Sequence, residues 1–516
     1  MLLLQPSARR RGLWGLLLRS STSRASSSTP SSDEYAETLD QLFRAVKNPS
    51  RHSDTSNPDE LFARRKEFFK KVYFDEAKLS SSVTVVHVAG TKGKGSTVEY
   101  VAAGLRSQGH KVGVFTSPHL HTARERIKIG KHLISRSDLT RLGKSALASM
   151  HNFSWTVFFD LLLTTALRYF GEQKVDYLVL ETGIGGRYDS TNFLDAVSIG
   201  VITSISLDHQ AMLGETIEEI AWQKAGIIKP GMHVFTPATQ HPAVLRVLLE
   251  QSKAAGATLH QVPIDGKALA KEGLLLTSTL SLSSSTGCVG AEVPWQIQNA
   301  CVSMAVLQHL RMPAAGMATS FWPCRMETFS VPPSKQFPGS SSSVTLVLDG
   351  CHNGDSVDQF LTGLRARYPQ RRICVVFGAG AEKCVDDMMR SLSQQFAASK
   401  GASQKMRLVL VQSGHFRSMT EAELADAVAK AAGSLMAQLS LPATESKHRA
   451  ERAASVWDRL DWTVGGAAMG KGNGESEVVA VCGSLFVAAE AREWLLSKHP
   501  GLFAADDWVR QPDSSP

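Results

Sequence analysis

Val85-Val86-His87-Val88-Ala89-Gly90-Thr91-Lys92-Gly93-Lys94-Gly95-Ser96-Thr97 sets the fold class of this chain. The β-branched run Val83–Val88 predicts a strand, Gly90–Thr97 a glycine-rich turn, and Val98–Gln108 a helix. Glycines let backbone N–H groups converge on a phosphate, and a helix N-terminus adds its positive end. Lys94 has the reach for β- and γ-phosphates, and the hydroxyl of Ser96 can sit near Mg²⁺. The usual phosphate-loop pattern is met imperfectly. Val88 stands where its first glycine would be, and Gly95 separates the lysine from Ser96. The plainer alternative is a glycine turn in an α/β sheet; the strand before and the helix after favour phosphate.

Outward from this loop, Val112–Phe115, Tyr177–Leu180 and Val197–Ile205 read as further strands, with Trp155–Phe170 as a buried helix interrupted by Asp160. Strands alternating with helices predict a parallel α/β sheet. Ahead of the loop, Tyr35–Val46 and Asp59–Tyr73 read as helices and Asn48–Pro58 as a loop. Leu274–Thr286 has no helical period, and Pro332–Ser343 reads as a linker or as the start of the second domain. Val344–Leu348, Ile373–Phe377, Leu408–Val411 and Val478–Val481 then predict a second, smaller α/β unit. Gly465–Glu475 reads as an exposed loop. Its Gly465 and Gly470-Lys471 copy the phosphate-loop spacing, but Gly472 replaces the hydroxyl residue. A chain of 516 residues is too long for one core. The expected division is a tail over 1–32, a P-loop ATP-binding domain over 33–330 and a Rossmann-like α/β domain over 331–516.

The five arginines of residues 1–32, with no acid among them, account for five of the eight net positive charges. That Arg- and Ser-rich composition is that of an organelle transit peptide, placing the chain in mitochondria, another organelle or the cytoplasm. The rival readings are a secretory signal built on Leu13–Leu18, which Arg19 ends at once, and a disordered tail. The remaining charge is too small, and too free of basic runs with aromatics, to suggest nucleic acid. No apolar run reaches membrane-spanning length. Seven cysteines without a C-x-x-C pair do not read as a disulfide framework and fit a reducing compartment.

An acid that ends an apolar strand sits at the carboxyl edge of a sheet, where phosphate loops also lie. Glu181, after Leu178–Leu180, is therefore a candidate Mg²⁺ ligand, with a cap of the following glycine turn as the alternative. Asp208-His209 and Ser117-Pro118 follow strands in the same way, though an isolated histidine or Ser-Pro is more often structural. Asp349 and His352 repeat the arrangement in the second unit. Lys224, taken alone, reads as a solvated helix lysine, and Arg325 alone says little.

In order, these pieces resemble the folylpolyglutamate synthase and dihydrofolate synthase family of the Mur ligase superfamily. The resemblance rests on Gly90–Thr97, Thr116–Leu120, Arg124–Ile127, Glu181–Asn192, Asp208-His209, Lys224–Ile227, Gln296 with Asn299, Arg325, Asp349–Asn353 and Cys482–Leu485. It implies an ATP-dependent ligase that activates a carboxylate as an acyl phosphate and joins it to L-glutamate. The other substrate would be a folate or dihydropteroate, and the protein a monomer. Gly93, Lys94, Gly95 and Ser96 would hold ATP phosphates. Gln296, Asn299, Arg325 and Asp349 would contact the nucleotide, with His352 close by. Ser117 and Glu181 would bind one Mg²⁺ and His209 a second. Lys224 would match a lysine that is carbamylated in relatives. Cys351 departs from a usual alanine, and Trp295 stands where histidine is common.

Overall fold

The computed structural model describes residues 32–45, 57–79, 83–150, 153, 156–272, 274–276, 289–290, 294–332, 343–381, 385–398, 406–415, 418–431, 455–468, 477–504 and 507–511. The tail before Ser32, most of Asn48–Pro58, Leu274–Thr286 and Pro332–Ser343, and the insert beyond Ala468, lie outside the described residues.

The first sheet runs β1 Thr84–Ala89, β2 Val112–Phe115, β3 Ile127–Ile129, β4 His132–Leu133, β5 Tyr177–Glu181, β6 Ile199–Ile202, β7 His233–Pro237 and β8 Thr258–Val262. Its spatial order is β4-β3-β2-β5-β1-β6-β7-β8, parallel except where β3 and β4 extend one edge antiparallel. Both faces are covered. Val86 and Val88 join the core under the helices Lys94–Arg106 and Pro294–His309, whereas Val85 and Ala89 join the core under Phe158–Glu172. That alternation along an apolar strand is what a doubly covered parallel sheet requires. His87 sits among these residues, 1% exposed, with Nε2 2.8 Å from Thr191 Oγ1. Burial lowers its pKa to about 3, so it stays neutral.

A short pair, β9 Leu275–Leu276 and β10 Val289–Gly290, lies between the two units in sequence. The second sheet comprises β11 Glu327–Val331, β12 Val344–Leu348, β13 Ile373–Phe377, β14 Met406–Leu410 and β15 Val478–Cys482, in the order β11-β12-β15-β13-β14. Only β11 is antiparallel among these strands. It pairs with β12 over five residues, so the second sheet begins a few residues before the division expected at 330/331.

Three sequence expectations shift. The first-unit helix starts at Lys94, not Val98, because Gly93 in the left-handed region caps it and accepts from Thr97 N at 2.9 Å. The strand expected over Val197–Ile205 narrows to β6, because Ser204 leaves the ladder to accept from Thr91 N (2.9 Å) and Lys92 N (3.2 Å). Gly465–Ala468, expected in a loop, completes the helix Val456–Ala468, which Val456 and Leu460 anchor in the second core.

The units are joined twice. The chain passes from one to the other through Phe321–Arg325, and its last described residues return to the first sheet. Arg492, fully buried, holds both crossings: Nε donates to Glu327 at 3.0 and 3.1 Å, and Nη2 donates to Asp507. Glu327 in turn accepts from Cys324 N at 2.9 Å. Trp508 packs edge-on against Phe321 and Trp322, and Gln511 bonds Leu133 N and Lys131 O of the β3–β4 hairpin, each at 2.8 Å. A charge buried this deeply is tolerable only with such partners.

Candidate active site

The glycine loop leaves β1 at the carboxyl edge of the first sheet, as the strand–turn–helix pattern predicts. The Gly90 carbonyl accepts from two lysines, Lys94 Nζ at 3.1 Å and Lys224 Nζ at 3.0 Å. Gly93 has φ +83°, and a Cβ there would lie 2.2 Å from Asn299 Oδ1. A Cβ on Gly95 would lie 2.4 Å from the Trp322 ring. Two side chains from elsewhere in the chain therefore press on the loop, and only glycine leaves them room. Ser96, just inside the helix, is buried.

Ser117 and Glu181 follow β2 and end β5, strands that pair side by side. Ser117 N donates to Glu181 Oε2 at 3.0 Å. Burial raises the pKa of Glu181, opposed by Lys94, Arg325 and Lys128. A buried carboxylate, with a serine held against it through its backbone N–H, offers hard oxygen donors of the type Mg²⁺ takes. The residues present thus fit the cation.

The helix Ile217–Ala225 opens on a capping box between Thr216 and Glu219 and carries Lys224 inward. Lys224 is 3% exposed, which corrects the reading of a solvated helix lysine. Burial, then the nearby Lys94, lowers its pKa to about 7, while Asp208 and Asp189 oppose the shift. Asp208 also raises the pKa of Lys92, which burial lowers to about 8. His209 takes the left-handed region at φ +53°, with its side chain 38% exposed and Nε2 3.9 Å from Asp208 Oδ2.

The second sheet contributes the segment after β12. Asp349 is buried and accepts from Met326 N and Cys351 N, each at 2.9 Å. Burial raises its pKa, with Arg325 the main opposing charge. Gln296 Nε2 donates to Arg325 O at 3.2 Å. His352 Nδ1 donates to Gly350 O at 2.9 Å. Lys92, from the glycine loop, pairs with Asp355 just beyond this segment. The glycine loop of one sheet thus meets the Asp–His segment of another.

Residues 88–306 match the Mur ligase middle domain, and residues 336–484 match the Mur ligase glutamate ligase domain. The chain is similar to the dihydrofolate synthase/folylpolyglutamate synthase of Bacillus subtilis (strain 168), 32% identical over 353 residues, 64% of this chain and 77% of that one. It belongs to the folylpolyglutamate synthase/dihydrofolate synthase family. The dihydrofolate synthetase of Saccharomyces cerevisiae is 31% identical over 338 residues, 61% of this chain and 76% of that protein. The fold is that of the Mycobacterium tuberculosis folylpolyglutamate synthase complexed with ADP, at a TM-score of 0.67, 21% identity and coverage of 89% of this chain and 98% of that one.

Within this family frame, the structure gathers most of the nominated residues. Lys94 and Lys224 share one carbonyl; Glu181 faces Lys94 and Arg325; Asn299 lies on Gly93; Gln296 and Asp349 meet at Arg325. His209 stands at the rim beside Asp208 and not in the buried cluster. Lys92, Trp322 and Asp355 were not nominated, and Asp208 was noted only together with His209 and given no role. Asp208 had a usable signal, since it ends the run Ser206-Leu207-Asp208 after a strand. Trp322 had none, because its contact with Gly95 is purely tertiary. Trp295, at the position where histidine is common, puts its ring 3.0 Å from where a Gly363 Cβ would be, so it packs on the second unit.

Proposed function

We propose that this chain joins L-glutamate to the γ-carboxylate of reduced folates and their glutamate conjugates, cleaving ATP to ADP and phosphate. The observation that carries the reading is the convergence on the Gly90–Ser96 loop of Lys94, Lys224 and Asn299, with Arg325 and Asp349 supplied from beyond the first sheet. A carboxylate resists attack by an amine, so it is first phosphorylated to an acyl phosphate, and the glutamate amine then displaces phosphate. Lys94 and the backbone N–H groups of the loop would bind the transferring phosphoryl group and spread its charge. Mg²⁺, held by Ser117 and Glu181, would supply further neutralisation of phosphate charge when bound. Asp349 fixes the turn carrying His352, and closure of the second unit would place that turn over the nucleotide.

The second reading is dihydrofolate synthase, which joins glutamate to dihydropteroate. It is favoured by the extent of likeness to the yeast dihydrofolate synthetase, 76% of whose length is covered. A simple P-loop switch is disfavoured, because it has no need of Asp349 and Arg325 from beyond the first sheet. The test is purified protein with ATP, Mg²⁺ and glutamate, offered tetrahydrofolate and dihydropteroate side by side. ADP release and a glutamate-extended product with tetrahydrofolate are expected. Product only from dihydropteroate would overturn the preference, and product from both would make the enzyme bifunctional.

The acid-free, arginine-rich residues 1–32 are proposed to direct the chain to mitochondria or another organelle. A fusion of these residues to a fluorescent reporter is expected to co-purify with an organelle; a reporter that stays cytosolic rejects this. Among the described residues no helix is long and apolar enough to cross a membrane.

A further inference from the structure

Three histidines meet at the end of the first sheet opposite the glycine loop. His233 is the first residue of β7, His260 the third of edge strand β8, and His309 the last of the helix Pro294–His309. The parallel register pairs His233 with Thr258 and Phe235 with His260, so His233 and His260 point to the same face of the sheet. The helix ending at His309 packs over that face. His233 Nδ1 lies 2.9 Å from His260 Nε2, and one ring nitrogen of each of the three lies within 4.8 Å of the others. Phe235 stacks on His260 with ring centroids 4.6 Å apart, which fixes that imidazole.

We propose that His233, His260 and His309 form a zinc site, remote from the catalytic loop, that ties edge strand β8 to β7 and to the C-terminus of the covering helix. Three imidazoles are a ligand set for Zn²⁺, with water as the fourth ligand. Zn–N bonds of about 2.1 Å place ligand nitrogens roughly 3.4 Å apart in a tetrahedron. The nitrogens lie from 2.9 Å to within 4.8 Å of one another, a range that spans that value. His309 ends a helix of 16 residues, whose negative end favours a cation. Burial and the neighbouring imidazoles lower the pKa of His260 and His309, which favours the neutral, ligating form. The bland alternative is a stack of aromatic rings covering an edge. It accounts for Phe235 and for the His233–His260 hydrogen bond, but not for a His309 ring nitrogen within 4.8 Å of both. Imidazole donors select zinc over magnesium, so the site takes a different ion from the oxygen pair Ser117 and Glu181.

The experiment is titration of the full-length protein, stripped of metal, with zinc against a zinc-responsive dye, repeated for H309Q, for H233Q/H260Q/H309Q and for H209Q. The wild type is expected to take up one tight zinc and to gain thermal stability from it. H309Q is expected to lose at least about 100-fold in affinity, H233Q/H260Q/H309Q to lose the site, and H209Q to keep it. Cobalt in place of zinc is expected to give the visible absorption of a tetrahedral centre in the wild type and not in the triple variant. Ligation supported by magnesium is expected to be unchanged in H309Q. Wild-type protein that takes up no tight zinc overturns the proposal. So does H309Q binding zinc as the wild type does, or zinc lost from H209Q instead.

Discussion

Lys94→Ala is expected to cut ligation turnover by about a thousandfold, the scale of removing one preorganised charge stabiliser from a reacting site. Lys94 Nζ lies within hydrogen-bond distance of the Gly90 and Thr91 carbonyls, at 3.1 and 3.4 Å, so it is already held over the loop. Lys92, the other lysine of the loop, is engaged with Asp355 and cannot take its place. The side chain of Lys94 is not part of either hydrophobic core of the first sheet, so the variant is expected to keep the wild-type circular dichroism and melting temperature. The measurement is ADP release with saturating acceptor and glutamate. A folded variant turning over within tenfold of wild type would sink the assignment of Lys94 to the transferring phosphoryl group.

Lys224→Ala is expected to lose about 100-fold or more in turnover, for a different reason. A buried lysine with a pKa near 7 holds a large neutral fraction at physiological pH. A neutral amine adds carbon dioxide and releases one proton, giving a carbamate whose two oxygens bear the negative charge. That conversion turns a cation beside Lys94 into an anion beside it, which removes a repulsion and creates a hard oxygen ligand. Below about pH 7 the amine is protonated and cannot add carbon dioxide, so activity at a fixed, low level of dissolved carbon dioxide is expected to fall as pH falls. Wild-type protein in labelled bicarbonate is expected to show a carbamate carbon signal that the alanine variant lacks, and short carboxylates are expected to restore part of the variant's activity. Unaltered, bicarbonate-independent turnover in Lys224→Ala would count against the carbamate.

The two lysines also mark the limits of what sequence conveys. Lys94 is legible because strand, glycine turn and helix are local patterns, and its neighbours dictate its place. Lys224 is illegible on its own: Glu218, Glu219 and Gln223 around it suggest a wet helix face, and only the packing of Ile217–Ala225 turns it inward. The ordered family motifs pointed to it where local chemistry did not. In the first sheet β1, β2, β5 and β6 were legible from their apolar runs and β3, β4, β7 and β8 were not; in the second all but β11 were, with ends misplaced by a few residues where a strand yields to a loop, as after Ile202. The contacts that set the loop's shape, Asn299 on Gly93 and Trp322 on Gly95, join residues some 200 positions apart in the chain, and no local pattern encodes them.

The double crossing between the units has a mechanical consequence. A body tethered by one strand can swing, twist and tilt. Here the outgoing segment Phe321–Arg325 and the returning segment Asp507–Gln511 lie against each other through Trp508, and Arg492 clamps both. Two tethers side by side act as a door hinge, leaving one easy rotation and resisting the others. Anchored by Gln511 on the β3–β4 hairpin, the second unit would move like a page on its spine. Every opening would then return the Asp349–His352 turn along the same arc, so its alignment over a bound nucleotide would be set by the hinge and need not be searched for at each turnover.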